Sequence, residues 1–178
     1  MKIVLIGIQG SGKSTQGNML SQKLNIPYLS TGHIFREMAR EHTSFGRYIK
    51  ETMNAGYLIP DDKTLEIVSE YLNRPEYKNG YILDGFPRTE KQAHDFSNGI
   101  DRLVYIMVPD DEALRRLSTR DDGREDAASQ ALKKRVELFH KFTEPVIDYY
   151  RNKNELVEIN GVQDIEKVHE DICKALNI

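Results

Sequence analysis

The sequence predicts an α/β protein, a parallel five-stranded sheet covered by helices. Apolar runs of strand length alternate along the chain with longer stretches of helical period, a pattern typical of strand–helix–strand units. The clearest runs are continuous rather than alternating in polarity, as in strands buried on both faces, and a glycine-rich turn follows the first of them. The 178 residues allow a single domain.

Five segments are predicted as strands. The strongest are residues 3–6, 81–83 and 103–108, and the weaker runs at 27–29 and 156–159 complete the sheet.

Two helical regions lie between these strands. Residues 31–73 carry helical patterns and no convincing strand, which predicts a helical insertion. Near the C-terminus a stripe of apolar residues at steps of three and four predicts a long core-facing helix, which Pro145 should kink or interrupt. Its members are Leu132, Val136, Phe139, Phe142, Val146 and Tyr150.

Composition excludes several classes of function. The formal net charge of -3 gives no bulk attraction to nucleic acid or to an acidic membrane. Cys173 is the only cysteine, which excludes an intramolecular disulfide and a thiolate zinc site, so we expect no structural zinc and a reducing, cytoplasmic location. The apolar run at 3–6 is too short for a signal peptide or a membrane span.

The strongest chemical signal is the segment at 7–14, which fits G-x-x-x-x-G-K-[ST] and follows a predicted strand at the head of a helix. Glycines let the backbone N–H groups converge on phosphate oxygens, and the helix N-terminus adds its positive dipole end. We therefore expect a functional phosphate loop that binds the phosphates of a nucleotide, a signal shared by kinases, GTPase switches and motors. The predicted contacts are Gly10, Ser11, Gly12, Lys13, Ser14 and Thr15.

A second anion site is predicted where the strand at 81–83 ends. Ligands collect at this edge of an open α/β sheet. Asp84 there can order the water shell of a magnesium ion, and the planar guanidinium of Arg88 suits a phosphate group.

With these residues in place, the chain resembles the adenylate kinase family. GIQGSGKSTQ at 7–16 is similar to the family's phosphate loop, STGHIFRE at 30–37 to its first monophosphate motif, and DGFPRT at 84–89 to its central signature. The resemblance implies a P-loop three-layer fold with a five-stranded parallel sheet, a helical monophosphate-binding insertion and a lid. His33 departs from the pattern, since the family usually has aspartate there.

The resemblance also implies boundaries within the single domain. The core would comprise 1–29, 74–119 and 127–178, the AMP-binding insertion 30–73, and a very short lid loop 120–126, where relatives use a longer segment.

The implied reaction is reversible, magnesium-dependent phosphoryl transfer, ATP + AMP = 2 ADP. The AMP phosphate would lie between Arg36 and Arg88, and Gln92 would read the adenine edge, because an amide both donates and accepts. The other implied AMP contacts are Thr31, Gly32, Tyr57, Leu58, Ile59 and Gly85.

Arginines in the second half supply the remaining implied contacts. Arg116 and Arg120 share a helix face and would bind ATP together with Gln163, whereas Arg115 is predicted to be a surface residue. Arg124 and Arg135 would clamp AMP. The implied catalytic set is Lys13, Arg88, Arg120, Arg124 and Arg135.

Two alternatives remain open on the sequence. One is a kinase for another nucleoside monophosphate, CMP or UMP, although Thr89 and Gln92 differ from what pyrimidine-directed relatives carry. The other is a noncatalytic nucleotide-binding regulator. The sequence does not predict the oligomeric state.

Overall fold

The computed structural model describes residues 1–118 and 126–178, and of residues 126–129 only the backbone. Within these ranges five strands form one parallel sheet in the order β2-β3-β1-β4-β5. The strands are β1 (Lys2–Ile6), β2 (Tyr28–Ser30), β3 (Tyr81–Asp84), β4 (Arg102–Met107) and β5 (Leu156–Asn160). The predicted fold class and all five predicted strands are confirmed, with ends shifted by one residue at most.

Helices cover both faces of the sheet. They are α1 (Lys13–Leu24), α2 (Thr31–Met38), α3 (Ser44–Asn54), α4 (Asp61–Leu72), α5 (Glu90–Asp95), α6 (Asp110–Ser118), α7 (Asp126–Leu138), α8 (Glu144–Asn152) and α9 (Ile165–Leu176). A 3-10 turn at Pro75–Tyr77 precedes β3, and a π-helical segment at Phe139–Thr143 joins α7 to α8. No helix in the described ranges is long and apolar enough to cross a membrane.

The central strand β1 shows why the sheet has a core on each side. Successive side chains of a strand point to opposite faces. Ile3 and Leu5 therefore pack into one core with Leu20 of α1 and residues of α9. Val4 and Ile6 belong to the other core, which includes residues of α5 and α8. These four residues of β1 are all buried, which explains the continuous apolar run.

The predicted helical character of 31–73 is confirmed, since α2, α3 and α4 occupy it without a strand. Hydroxyl side chains start two of these helices, because the Ser30 and Thr43 oxygens accept backbone N–H groups that have no partner inside the helix. Ile34 of α2 and Ile49 of α3 join the same core as Val4. Val68 of α4 lies in this core as well, so all three helices contribute to the core on one face of the sheet.

The C-terminal apolar stripe was predicted only in part. Val146 and Tyr150 are buried, Val136 and Phe139 are partly buried against the cores, and Leu132 is half-buried. The helix is interrupted just before Pro145, which lies in the first turn of α8. The interruption is the π-helical segment, whose wider turn shifts the phase of the side chains. Phe142 consequently points outward and is 38% exposed, while Thr143 takes a buried position. The prediction that Phe142 is a core residue was wrong.

Candidate functional site

A cavity of about 1130 Å³ opens along the carboxyl edge of the sheet. Three of the segments that line it follow strands directly: the loop after β1, the start of α2 after β2, and the turn after β3. Because the strands are parallel, these ends meet at one edge. Sixteen of the predicted site residues line this cleft: Gly10, Gly12, Lys13, Ser14, Thr15, Thr31, Gly32, Arg36, Tyr57, Leu58, Ile59, Asp84, Gly85, Arg88, Gln92 and Arg135.

The loop between β1 and α1 has the backbone conformation that its glycines predict. Gly10 and Gly12 have φ values of 94° and 92°, in the left-handed region that suits glycine. At Gly10 a Cβ atom would also lie 2.7 Å from the carbonyl oxygen of Ala113. The loop therefore passes close to α6 before α1 begins at Lys13.

The Lys13 ammonium group lies inside this loop. Its Nζ donates to the carbonyl oxygens of Gly7 at 2.7 Å and Ile8 at 2.9 Å. Burial lowers the pKa of Lys13 to about 8, with the Asp84 carboxylate opposing the shift and the Arg88 charge adding to it. Ser11 is a buried residue of this loop and does not line the cleft.

Asp84, the last residue of β3, is buried and receives two hydroxyl groups on one oxygen. Ser14 Oγ donates to its Oδ2 at 3.0 Å, and Tyr28 Oη donates to the same atom at 2.7 Å. Burial, and then the Asp84 charge, raise the pKa of Tyr28, so its hydroxyl stays a donor.

This donor set suits magnesium held mainly through water and phosphate. Ser14 and Asp84 offer hard oxygen atoms, which Mg²⁺ prefers, and Mg²⁺ commonly keeps several water ligands. The described residues contain no group of three His, Cys, Asp or Glu side chains able to hold a metal. Ser14 and Asp84 therefore fit a magnesium ion whose other ligands are water and phosphate oxygens.

Arg88 is held in the turn that follows β3. Its Nε donates to the carbonyl oxygen of Gly85 at 2.7 Å, and the Thr31 hydroxyl bonds the same carbonyl at 3.0 Å. Gly85 has a φ of 83°, and a Cβ atom there would meet the Thr31 hydroxyl at 2.8 Å. Burial lowers the pKa of Arg88, and the Asp84 charge opposes that shift. From the π-helical segment, Thr143 donates to the Arg88 carbonyl oxygen at 3.0 Å.

Gln92 lines the cleft but its amide is engaged within the protein, which the sequence did not predict. Its Oε1 accepts the backbone N–H of Arg88 at 2.7 Å, and its Nε2 donates to Asp61 Oδ1 at 2.8 Å. Two of the four hydrogen-bonding positions of the amide are thus taken. Asp61 carries no distinguishing signal in the sequence, since an acidic residue after Pro60 at a helix start is ordinary.

Arg135 of α7 crosses the cleft. Its guanidinium donates to Gln9 Oε1 of the phosphate loop at 3.0 Å and to the Met53 carbonyl oxygen of α3 at 2.8 Å. Arg135 therefore links the phosphate loop to α3 of the helical insertion. Neither Gln9 nor Met53 was singled out from the sequence, because a backbone carbonyl and a loop glutamine carry no recognisable pattern.

Arg116 and Gln163 lie outside the lining of this cleft, near each other. Arg116 donates to Glu112 Oε1 at 2.7 Å and to the Gly161 carbonyl oxygen at 2.9 Å. Gln163 donates to the Asn160 carbonyl oxygen at 2.8 Å in the same loop. The predicted ATP residues of α6 and of the loop after β5 are thus brought together.

The remaining predicted residues have varied positions. Arg115 is largely exposed and pairs with Glu112, as a surface residue should. Together Arg115 and Arg116 lower the pKa of Glu112 to about 2. His33 is exposed. Arg120 and Arg124, with the loop between them, lie outside the described residues.

Comparison with known proteins gives a consistent family. The family model described as "Adenylate kinase" matches residues 5–155. A relative named adenylate kinase from Caldicellulosiruptor bescii is 36% identical over 214 aligned residues, which cover all of both chains. The adenylate kinase of Nocardia farcinica is 36% identical over 183 residues, 99% of each chain, and that of Methanothrix thermoacetophila is 34% identical over 212 residues, 99% of each.

Proposed function

The chain belongs to the adenylate kinase family and is a nucleoside monophosphate phosphotransferase, and we propose that it transfers the terminal phosphoryl group of ATP to AMP in the cleft described above. Residues 30–73 would form the acceptor-binding unit and 120–126 a minimal lid. ATP, AMP and ADP would be its ligands. The alternatives of a pyrimidine nucleotide kinase and a noncatalytic regulator are not favoured by the family match.

One observation supports the proposal most. A single cleft is lined by the phosphate loop, Asp84, Arg88 and Gln92. The charge of Asp84 acts on both Lys13 and Arg88. Two phosphate groups bound to these two cations would therefore approach each other across one carboxylate.

The reaction needs positioning and neutralisation of charge rather than a covalent intermediate. An oxygen of the AMP phosphate forms a bond to the γ-phosphorus as the bond to the bridging oxygen breaks, and ADP forms on both sides. Because the attacking atom is already an anionic oxygen, no general base is required. Lys13, Arg88 and Arg135 would offset the charge on the transferring group, together with the loop N–H groups and with Arg120 and Arg124.

Magnesium would be bound with ATP. Ser14 would offer its hydroxyl oxygen and Asp84 would hold water ligands through its carboxylate. The ion supplies neutralisation of the charge on the β- and γ-phosphate oxygens.

The acceptor side would be divided between phosphate and base. Arg36 and Arg88 would bind the AMP phosphate, while Thr31, Gly32 and Gln92 would contact the sugar and the base. Tyr57, Leu58, Ile59 and Gly85 would complete the wall. On the donor side Gly10, Ser11, Gly12 and Thr15 would surround the ATP phosphates, with Arg116 and Gln163 near the ATP base. A cytoplasmic location is proposed from the single cysteine.

A coupled assay across AMP, CMP, UMP and GMP, each with Mg·ATP and other triphosphates, tests the function. We expect turnover of AMP to exceed that of the pyrimidine monophosphates by a factor of about 100 or more, because a base-reading site rejects an edge that leaves its buried polar groups unpaired. Faster turnover of CMP or UMP, or binding of ATP without any transfer, would contradict the proposal.

A further inference from the structure

Asp61, the first residue of α4, contacts the first turn of α5 through one oxygen atom. Its Oδ1 accepts the Thr89 hydroxyl at 2.9 Å and the Gln92 amide nitrogen at 2.8 Å. Thr89 in turn caps α5, because its Oγ1 accepts the backbone N–H of Gln92 at 3.2 Å. Asp61 therefore accepts hydrogen bonds both from the capping hydroxyl of α5 and from the side chain of the residue whose backbone N–H that hydroxyl accepts.

The partners of Gln92 allow only one orientation of its amide. On one side a carboxylate of Asp61 can only accept, and on the other the backbone N–H of Arg88 can only donate. Rotating the amide by half a turn would bring its oxygen against the carboxylate and its NH₂ against the N–H. Gln92 is only 2% exposed, so water would not compensate for these lost bonds.

The fixed orientation determines what Gln92 can offer a ligand in the cleft. One lone pair remains on Oε1 and one hydrogen on Nε2. On the edge formed by N1 and the C6 substituent, a 6-aminopurine presents the complementary pair, an amino donor beside a ring-nitrogen acceptor; a glutamine amide also pairs with the amino group and a ring nitrogen of adenine in DNA. On the same edge a 6-oxopurine presents the reverse, a carbonyl acceptor beside the N1–H donor.

We propose that Asp61 is a specificity-determining positioning residue, which makes the acceptor site select a 6-amino over a 6-oxo purine monophosphate by holding the Gln92 amide in one orientation. The inference rests on the proposed contact of Gln92 with the acceptor base. Asp61 itself acts through Gln92 and touches no reacting atom.

The variant that separates orientation from shape is Asp61→Asn. Asparagine keeps the size of aspartate but can turn either an oxygen or an N–H toward Gln92, so that only the Arg88 N–H still favours one orientation of the amide. With Mg·ATP as donor, we expect the ratio of kcat/KM for AMP to that for IMP to fall about tenfold, the size of one lost charge-assisted hydrogen bond. The KM for AMP should rise and the KM for ATP should stay unchanged.

The neighbouring residue provides the matched control. Asp62→Asn removes the same charge from the same helix turn, but Asp62 is 83% exposed in its side chain and contacts Lys91 at 3.2 Å on the surface. For Asp62→Asn, the ratio of kcat/KM for AMP to that for IMP should equal the ratio measured for the unmodified chain. Asp61→Glu, which keeps a group that only accepts, should recover most of the selectivity.

Several outcomes would overturn the proposal. If Asp61→Asn changes kcat/KM for AMP and for IMP by the same factor, Asp61 has only a structural role and does not determine the choice between the two purines. If Asp61→Asn does not fold, Asp61→Ser serves instead, because a hydroxyl also donates or accepts, and an unchanged ratio there overturns the proposal too.

Two further measurements separate this proposal from the one on which it rests. If Gln92→Leu leaves the KM for AMP unchanged, the base contact of Gln92 fails and Asp61 has no role through it. If Gln92→Leu raises the KM for AMP while Asp61→Asn keeps the ratio, only the role of Asp61 fails. If the unmodified chain does not phosphorylate AMP, the proposed function itself fails.

Discussion

Ser14 donates a hydrogen bond of 3.0 Å to Oδ2 of Asp84, a residue 70 positions away in the chain. The first belongs to α1 and the second ends β3, and the parallel register of β1 with β3 brings the two together. A hydroxyl and a carboxylate, each a hard oxygen ligand, thus meet beside the phosphate loop.

The first prediction concerns Asp84→Asn. Loss of the charge should weaken the apparent affinity for Mg²⁺ by about 10–100-fold, the usual cost of removing a group that orients metal ligands. Initial rates measured against free Mg²⁺ at saturating ATP and AMP check this. Tyr28→Phe is the control, because it removes one hydrogen bond from Asp84 and keeps its charge. An unchanged Mg²⁺ dependence in Asp84→Asn would exclude the role, and chelation of Mg²⁺ should abolish activity in both variants.

The second prediction is that Lys13→Ala loses phosphoryl transfer while the fold remains, because Lys13 is the first residue of α1 and belongs to neither hydrophobic core. Activity should fall more than tenfold, equivalent to a loss of more than ~1.4 kcal/mol of transition-state stabilisation. Steady-state rates, with thermal unfolding as the control for folding, check this. A variant that keeps more than about a tenth of the activity would show that Lys13 is not catalytic.

The third prediction follows from the pKa of Lys13, about 8. Near pH 8 the free protein carries this ammonium group about half protonated, and an adjacent phosphate favours the charged form. Binding of Mg·ATP at pH 8 should therefore take up about 0.5 proton per molecule. Calorimetry in two buffers with different ionisation enthalpies measures the uptake. It should disappear in Lys13→Ala, and an equal uptake in both proteins would assign the proton to another group.

The fourth prediction concerns acceptor affinity. Gln92→Leu leaves the Arg88 N–H and the Asp61 carboxylate without their amide partner and removes the group proposed to read the base. AMP binding should weaken by about 1–3 kcal/mol, while ATP binding stays nearly unchanged. Calorimetric titration with each nucleotide separates the two effects. Unaltered AMP affinity would mean that another residue reads the base.

The fifth prediction concerns His140, which contacts Glu144 at 2.7 Å and Asp110 at 2.9 Å. These carboxylates, first Glu144 and then Asp110, raise the pKa of His140 above its usual value. A histidine whose pKa is raised by folding stabilises the fold at pH values below its pKa in the unfolded chain, about 6.5. This stabilisation is lost as the pH rises through its pKa in the folded protein. His140→Gln should therefore lower the free energy of unfolding more at pH 5.5 than at pH 9.

His169 provides the comparison of opposite sign. Burial, aided by the charge of Lys23, lowers its pKa, so protonation of the unfolded chain destabilises the fold as the pH falls below about 6.5. The free energy of unfolding of His169→Gln should therefore rise relative to that of the unmodified protein as the pH is lowered. Urea titrations of both variants at pH 5.5 and pH 9 measure how the difference in free energy of unfolding from the unmodified protein changes with pH. A change of the same sign in both variants would contradict the opposite pKa shifts of His140 and His169.

The short segment between Arg120 and Arg124 also has a testable consequence. Only Asp121, Asp122 and Gly123 separate the two arginines, whereas members of the family that this chain resembles use a longer segment here to exclude water. Hydrolysis of ATP without acceptor should then exceed that of long-lid relatives, while transfer to AMP stays efficient. Phosphate release from Mg·ATP, before and after insertion of a longer lid, measures the leak. An undetectable leak that the insertion leaves unchanged would show that other elements exclude water.

Several features were determined by the sequence alone, because their signals are local. The continuous apolar run of β1 indicates a strand buried on both faces, and the phosphate loop is a contiguous motif whose glycines adopt the required backbone angles. Asp84 and Arg88 could be placed at the cleft because they follow a predicted strand, and parallel strands end at one edge.

Other features depended on the tertiary structure, because they join residues that no sequence period relates. The Gln92 amide contacts Asp61 only after α4 packs beside α5, and Arg135 contacts Gln9 and Met53 only when α7 lies across the cleft from them. Phe142 lies outside the core because the π-helical turn changes which side chains face the core from those that the steps of three and four predict. A local pattern specifies which face of an element is buried, whereas the partner of a polar side chain is decided by packing between distant segments.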